Sequence, residues 1–121
     1  MSVENVKVCY IRPKGYLNLQ DWTNDSNNIY IARKGIVFIK TENGTERYPK
    51  YSSKWHNPFK IGKGKYTRDE SLEKYEIYIK EKIQENPVKY DLNEIKNKNL
   101  GCWCKPEKCH GDILLKLLEK I

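Results

Sequence analysis

Apolar residues in the first half of the chain occur in short runs that are rich in β-branched and aromatic residues. These runs predict three strands, which cover Val6–Ile11, Ile29–Arg33 and Ile36–Ile39. Asn43-Gly44 is typical of a hairpin turn, so Ile36–Lys40 and Glu46–Tyr48 are expected to pair as a hairpin. The segment Leu17–Asn28 is polar and rich in asparagine, and we predict that it is a loop.

In the second half, apolar positions recur with helical spacing on both sides of one short strand. The segment Tyr51–Lys65 is irregular, and Thr67 is a typical N-cap for a helix that continues to about Gln84. A short helical turn is predicted at Leu92–Asn97, and a strand buried on both faces at Asn99–Cys104. A final amphipathic helix follows, and its apolar stripe comprises Ile113, Leu114, Leu117, Leu118 and Ile121.

Strands that alternate with helices along the chain are typical of the α/β class. We therefore expect residues 1–121 to form a single α/β domain built on a small sheet in two or three layers. The core strands should be mostly parallel, with Asn99–Cys104 near the centre of the sheet. The hairpin is then an insertion in the N-terminal half.

Charge and composition narrow the classes of partner. Lysine and arginine number 23 against 16 aspartates and glutamates, and the net charge of +7 favours nucleotides, nucleic acid or acidic protein surfaces. A lysine-rich solubilising surface is the alternative interpretation. Neither a secretory signal nor an apolar run of membrane-spanning length is visible, so we expect a cytoplasmic protein with no membrane partner and with reduced cysteines.

The segment Leu100–Asp112 concentrates the candidate chemistry, because it holds three of the four cysteines and one of the two histidines. It predicts a strand, a tight loop and a helix start, where free backbone N–H groups can face an anion. Cys109 is the candidate nucleophile, since the helix dipole and nearby lysines would lower the pKa of its thiol. His110 is the candidate acid or base. Gly111 would let a ligand approach the backbone, and Asp112 would contact the ligand or cap the helix.

A zinc site is the alternative interpretation of the same loop. Cys102, Cys104, Cys109 and His110 have the residue types of a structural zinc site. Their spacing departs from the usual pairs, because Cys102 and Cys104 are two residues apart on one face of a strand. Both cysteines are also suited to be small buried core residues. We therefore expect a site without a cofactor, with zinc as the alternative.

The segment Gly101–Leu114 resembles the C-terminal signature of domain-of-unknown-function family 4326, which occurs in phages, bacteria and large viruses. Three upstream segments are similar to the family's Tyr-Ile-Gly-Arg strand end, its Gly-Asn-Pro-Phe turn and the helix after it; they are Tyr30–Arg33, His56–Phe59 and Arg68–Tyr78. The resemblance covers residues 29–121, and it implies the host cytoplasm if this chain is viral.

The chain departs from the pattern of that family at three places. Ala32 and His56 stand where the family prefers glycine, and Lys34–Lys54 is longer than the usual connection. The Cys-His loop also resembles family 488 more distantly. Gly111 replaces an arginine of that family, so an arginine-based phosphate clamp does not transfer.

The resemblance implies one constellation, which comprises Arg33, Asn57, Pro58, Phe59, Cys109, His110 and Asp112. Arg33 at a strand end would bind phosphate or carboxylate, with a surface ion pair as the alternative. Asn57 would contact a base or ribose, or would only form a turn. Phe59 or Trp55 would stack on a base, with core packing as the alternative.

Three functional hypotheses follow. The first is a domain that binds a nucleotide-like phosphorylated ligand and, if it is an enzyme, processes it through Cys109 and His110. The second is a zinc-stabilised binding module for protein or nucleic acid. The third is a non-catalytic nucleic-acid-binding protein that uses the lysine-rich helix Thr67–Gln84.

Overall fold

The computed structural model describes residues 2–120, which form five strands and four α-helices. In chain order these elements are β1 (Ser2–Asn5), α1 (Val8–Ile11), α2 (Leu19–Asn24), β2 (Asn28–Tyr30), β3 (Val37–Thr41), β4 (Gly44–Tyr48), α3 (Arg68–Glu85), β5 (Asn99–Cys102) and α4 (His110–Leu118). Two 3-10 turns lie at Arg12–Lys14 and Leu92–Glu94.

The main sheet has three strands in the order β1-β5-β2, and both pairings are parallel. Leu100 in β5 is in register with Val3 in β1 and with Ile29 in β2. The prediction of a central parallel strand near residue 100 is therefore confirmed. Because all three strands run the same way, their carboxyl ends meet at one edge, which is where open α/β sheets bind ligands.

The sheet lies between two helical layers. Leu100 and Cys102 belong to the larger core cluster, which includes residues of α3 and α4. Gly101 faces the other side, where a Cβ atom would lie 2.5 Å from Cη2 of Trp22 in α2. Trp22 belongs to a second core cluster with Val6, Ile11 and Leu19. The α/β class agrees with the prediction, and three layers is one of the two arrangements that the sequence allows.

Two predictions for the N-terminal part were wrong. The predicted strand Val6–Ile11 is replaced by β1 and the helical turn α1, because Asn5 Oδ1 accepts a hydrogen bond from Lys7 N at 3.0 Å and turns the chain. The predicted loop Leu17–Asn28 contains α2, whose N-cap Asn18 accepts a hydrogen bond from Asp21 N at 2.9 Å.

The hairpin and the long helix agree with the predictions. Strands β3 and β4 pair antiparallel across a turn at Glu42-Asn43, and Gly44 opens β4 opposite Thr41. Thr67 caps α3 through a reciprocal capping box with Glu70. The predicted strands Ile29–Arg33 and Asn99–Cys104 are shorter, ending at Tyr30 and Cys102. Ile121, the last residue of the predicted stripe of α4, lies outside the described residues. None of the helices in residues 2–120 has the length and apolar composition that a membrane span requires.

Candidate functional site

A cavity of about 440 Å³ opens at the carboxyl ends of the three parallel strands. Each strand contributes through the residues that follow it: Lys7 after β1, Arg33 after β2, and Cys104 after β5. The first turn of α4 adds Cys109 and His110. The volume lies within the range of about 300–1,000 Å³ that is typical of ligand-binding cavities.

The charged side chains that line the cavity carry positive charge, apart from ionisable thiols. Lys7, Arg33 and Lys108 lie on its wall, and no aspartate or glutamate of residues 2–120 does. The remaining wall is mainly aliphatic and aromatic, with Phe59 and Trp103 as its rings. The cavity therefore combines apolar walls with positive charge.

Arg33 is held in place by the turn that follows residue 56. Its Nε and Nη2 groups donate to the backbone oxygen of Asn57 at 3.2 and 2.6 Å. The side chain of Asn57 is itself fixed, since Nδ2 donates to Ser71 Oγ at 2.8 Å and Oδ1 accepts from Phe59 N at 2.9 Å. Asn57 therefore lines the cavity but uses its amide to organise the turn. Of the two predictions for Asn57, contact with a base or ribose and a turn alone, these hydrogen bonds support the turn.

The two rings of the wall are also anchored. Trp103 Nε1 donates to the hydroxyl of Tyr30 at 2.7 Å, and that hydroxyl donates to the backbone oxygen of Arg33 at 2.6 Å. Burial raises the pKa of Tyr30 to about 12, so the hydroxyl keeps its proton at neutral pH. Phe59 packs edge-on against Tyr66 and Tyr78, with ring centroids 5.8 Å apart in each pair.

Three thiols, those of Cys102, Cys104 and Cys109, line the cavity and interact with one another through hydrogen bonds. Hydrogen bonds with Cys102 and Cys109 lower the pKa of the half-buried Cys104, and Arg68 stabilises its thiolate further. The hydrogen bond with Cys104 is the main cause that raises the pKa of Cys102 to about 11. Hydrogen bonds with Cys102 and Cys104, together with burial, raise the pKa of Cys109.

The expectation of a lowered pKa at Cys109 is therefore corrected. Its side chain is only 1% exposed, so burial disfavours the thiolate that the helix dipole would favour. Cys104 is the thiol of this cluster whose pKa is lowered. Arg68, at the first position of α3, reaches this loop and also donates from Nη1 to the backbone oxygen of Lys108 at 2.7 Å.

His110 lies beneath the cavity in a neutral form. Its Nε2 lies 2.6 Å from the backbone oxygen of Ile31, which only accepts, so Nε2 carries the proton. Nδ1 is then unprotonated and faces Cys109 Sγ at 3.5 Å. Burial lowers the pKa of His110 to about 4. Such a group can accept a hydrogen bond from a thiol, and it stays uncharged at neutral pH.

The N-terminus of α4 is capped by its own residues. Cys109 Sγ accepts from Gly111 N at 3.4 Å, and Asp112 Oδ2 accepts from Cys109 N at 3.0 Å. Asp112 also forms an ion pair with Lys105, with Nζ–Oδ1 at 2.7 Å. The expectation that free N–H groups there hold an anion therefore requires revision, because two of these donors have partners within the protein.

Three residues predicted to bind ligand lie outside the cavity wall. Asp112 acts as the capping carboxylate. Gly111 permits close packing instead of ligand approach, since a Cβ atom would lie 2.9 Å from side-chain atoms of Ile31 and Val3. Trp55 is 1% exposed and packs in the core, with its ring centroid 5.8 Å from that of Tyr90.

The cysteines of the described chain are not joined by disulfides, and Cys9 is exposed on α1. No group of three or more histidine, cysteine, aspartate or glutamate side chains between residues 2 and 120 is arranged to hold a metal ion. A zinc site formed by Cys102, Cys104, Cys109 and His110 stays a prediction, and metal analysis of the purified protein tests it.

Three contributors to the site were missed in the sequence. Lys7 was assigned to a strand, although it follows β1 at the ligand-binding edge. Trp103 was treated only as a core residue, although a strand that ends at Cys102 directs the next residues to that edge. Arg68 carried no local signal, because its role depends on the packing of α3 against the Cys104 loop.

Comparison with known proteins identifies the family. Residues 17–120 match the model of the domain of unknown function DUF4326. The chain belongs to the DUF4326 family. This match confirms the resemblance in the C-terminal signature and extends it back to α2.

Two viral proteins are similar to this DUF4326 chain. One is the "Uncharacterized 12.4 kDa protein in nrdA-td intergenic region" of Enterobacteria phage T4, 29% identical over 62 residues, covering 50% of this chain and 57% of that protein. The other is "Uncharacterized protein R718" of Acanthamoeba polyphaga mimivirus, 36% identical over 77 residues, covering 57% of this chain and 55% of that protein. The chain thus spans little more than half the length of these relatives. No solved structure matches it.

Proposed function

We propose that this DUF4326 protein binds a nucleotide-like phosphorylated ligand in the cavity at the carboxyl ends of β1, β2 and β5. The observation that carries the proposal is the pairing of apolar, ring-lined walls with positively charged side chains. A phosphate needs the positive charge, and a flat heterocycle is suited to the apolar walls.

We expect Lys7, Arg33 and Lys108 to act together on one anionic group, because all three line the same cavity. Lys7 and Lys108 are exposed, and neither side chain forms an ion pair within the described residues. Arg33 uses Nε and Nη2 to bind Asn57. Its charge remains uncompensated by any carboxylate on the cavity wall. Three cations from three separate segments thus line one cavity.

The thiol cluster gives the bound ligand a reactive neighbour. Cys104 lines the cavity, is half-buried and has a lowered pKa, because Cys102, Cys109 and Arg68 stabilise its thiolate. These are the conditions that favour a nucleophilic cysteine. We therefore assign any covalent chemistry to Cys104, and we place Cys109 and His110 behind it as a supporting hydrogen-bonded pair.

Calorimetric titration with AMP, GMP, CMP and UMP, and with the four parent nucleosides, tests the proposal. At least one nucleotide should bind, and its nucleoside should bind at least about tenfold more weakly, since a charge-assisted hydrogen bond contributes about 1.5–3 kcal/mol. Lys7→Gln and Lys108→Gln should each weaken nucleotide binding by about tenfold. Lys96→Gln is the matched control, because Lys96 is exposed and lies before the opposite end of β5.

The comparison with nucleosides tests the role of the cations separately from the role of the apolar walls. Equal binding of nucleoside and nucleotide would contradict the role of the cations. Absence of binding by all four nucleotides, in a protein that gives a cooperative thermal transition, would contradict the proposal as a whole.

A further inference from the structure

The hairpin of β3 and β4 has two faces of different character. Val37 and Tyr48 pack against the core cluster of α2, and Ile39 is buried. Side chains alternate along a strand, so the next residues face outward. These outward residues are Phe38, Lys40, Thr45 and Arg47, and all four are exposed.

The outward face combines an exposed ring with positive charge. Phe38 is 64% exposed, and Arg47 lies directly opposite it on β4, with its guanidinium carbon 5.1 Å from the ring centroid. Lys40 follows on the same face, opposite Thr45. The acidic residues of the hairpin lie elsewhere, since Glu46 pairs with Ile39 on the other face and Glu42 lies in the turn.

This face begins at the rim of the cavity. Ile36 lines the cavity and is 46% exposed, and it precedes Phe38 by two residues. At alternate positions of the chain, a strip of three residues leads from the cavity wall to the outward face: Ile36, Phe38 and Lys40. Along this strip an exposed ring lies between the cations of the cavity and those of the hairpin. When proteins bind single-stranded nucleic acid, the bases stack on aromatic side chains and the phosphates contact cationic side chains beside them.

We propose that the ligand of the cavity is a nucleotide within a single-stranded nucleic acid, and that the outward hairpin face holds the adjoining part of the strand. This inference rests on the proposed function of the cavity, and it specifies the substrate class. Charge complementarity supports it, because Lys40 and Arg47 lie on a face without carboxylates on a protein of net charge +7.

Fluorescence anisotropy with fluorescein-labelled 12-residue DNA and RNA single strands of mixed sequence tests the inference. The variants are Phe38→Ala and Lys40→Gln on the hairpin and Lys108→Gln in the cavity. Val88→Ala and Lys96→Gln are the matched controls, since Val88 is 85% exposed and Lys96 is exposed, and both lie outside the strip. Calorimetric titration of the same variants with the mononucleotides runs in parallel.

The hairpin variants should each lower oligonucleotide affinity by about tenfold and leave mononucleotide affinity unchanged. Lys40→Gln should also reduce the slope of log K against log salt by about 0.7, whereas Phe38→Ala should leave that slope unchanged. Lys108→Gln should weaken both classes of ligand. The DNA and RNA strands then show which sugar is preferred.

The two proposals fail in different ways. Oligonucleotide binding that is unchanged by both hairpin variants overturns this inference, even if mononucleotides still bind. Oligonucleotide binding that responds to the hairpin but not to Lys108→Gln also overturns it, because the cavity would then not hold part of the strand. A concentration-dependent dimer that Phe38→Ala dissociates, without oligonucleotide binding, would assign the face to a second copy of the chain.

Discussion

Because His110 is buried, the stability of the fold should fall as the pH falls. The substitution His110→Gln should remove this part of the pH dependence. Its ring is 6% exposed, donates from Nε2 to the backbone oxygen of Ile31, and packs edge-on against Tyr75 with centroids 5.1 Å apart. Although His110 lines the cavity, it is almost entirely buried, and burial disfavours its charged form. Burial accordingly lowers the pKa of His110 from its ordinary value of 6.5 to about 4 in the folded state.

The sign of the effect follows from proton binding. Between pH 6.5 and pH 4 the unfolded chain protonates this histidine and the folded chain does not. The unfolded state therefore binds more protons, and the free energy of unfolding falls as the pH falls. At 1.36 kcal/mol per pH unit, the interval from 6.5 to about 4 corresponds to about 3 kcal/mol.

Urea denaturation at pH 7, 6, 5 and 4.5 measures this dependence in the wild type and in His110→Gln. Glutamine can donate to Ile31 but does not titrate. Its absolute stability at pH 7 will differ because the ring contact with Tyr75 is lost, so only the change with pH is informative. Cys104, His56 and Arg33, whose charges act on His110, are present in both proteins.

The wild type should lose about 2–3 kcal/mol more than His110→Gln between pH 7 and pH 4.5. Parallel curves for the two proteins would show that the histidine is hydrated or already charged when folded. That result would refute the buried neutral ring and its pairing with Cys109.

Three further predictions concern packing, the thiol cluster and the long helix. Gly101→Ala should destabilise the fold by about 2–3 kcal/mol, since a Cβ atom would lie 2.5 Å from the buried Trp22 ring; a urea midpoint equal to that of the wild type would contradict this packing. Iodoacetamide should alkylate Cys104 at a nearly constant rate between pH 5.5 and 7.5, measured by peptide mapping with mass spectrometry. Free cysteine, in contrast, reacts about tenfold faster with each pH unit. The same tenfold rise at Cys104 would exclude a thiolate that is present throughout this pH range. Thr67→Ala should cost about 1 kcal/mol and Thr67→Ser much less, because the hydroxyl accepts from Glu70 N at 3.2 Å; equal losses in thermal unfolding would exclude the capping box.

The sequence predicted correctly those elements that depend on interactions between residues close together in the chain. The capped start of α3 at Thr67 and the hairpin turn at Glu42-Asn43 depend on local hydrogen bonds and backbone preferences. Helix α2 was missed although its signals were local, with Asn18 as N-cap and the buried pair Leu19 and Trp22 three residues apart. The asparagine content of the segment predicts a loop, but one of those asparagines caps a helix.

The failure in the first strand has a different cause. Val6–Ile11 is rich in β-forming residues, yet the neighbouring strand β5 offers only four residues for pairing with β1. Pairing begins at Ser2 and is followed by the turn at Asn5, so the more apolar residues come after the strand. The strand propensity of Val6–Ile11 is therefore outweighed by the pairing of β1 with β5, which a single sequence does not reveal.

Several residues of the candidate site, at the carboxyl edge of the parallel strands, were predictable from the sequence. The chemistry of the site was not. Arg33, Phe59, Cys109 and His110 do meet at one cavity. The lowered pKa of Cys104 depends on hydrogen bonds with Cys102 and Cys109 and, to a smaller extent, on Arg68, which the fold brings to Cys104 from the start of α3. Trp55 was also predicted to belong to the site but does not line the cavity. It is buried through contacts with Tyr75 and Tyr90, which lie far from it along the chain.

The capped start of α4 determines how the cavity can select a ligand. Gly111 N and Cys109 N donate to partners within the protein, so the helix end offers an anion fewer donors than an open N-terminus would. Under the proposed function, selectivity for phosphate would then depend mainly on side chains, and Lys7, Arg33 and Lys108 belong to three separate segments. Removal of one lysine should therefore weaken binding without abolishing it, because the other two cations remain. Arg33 differs from the lysines, since it also holds the Asn57 turn, and its replacement would disturb the cavity wall as well as its charge.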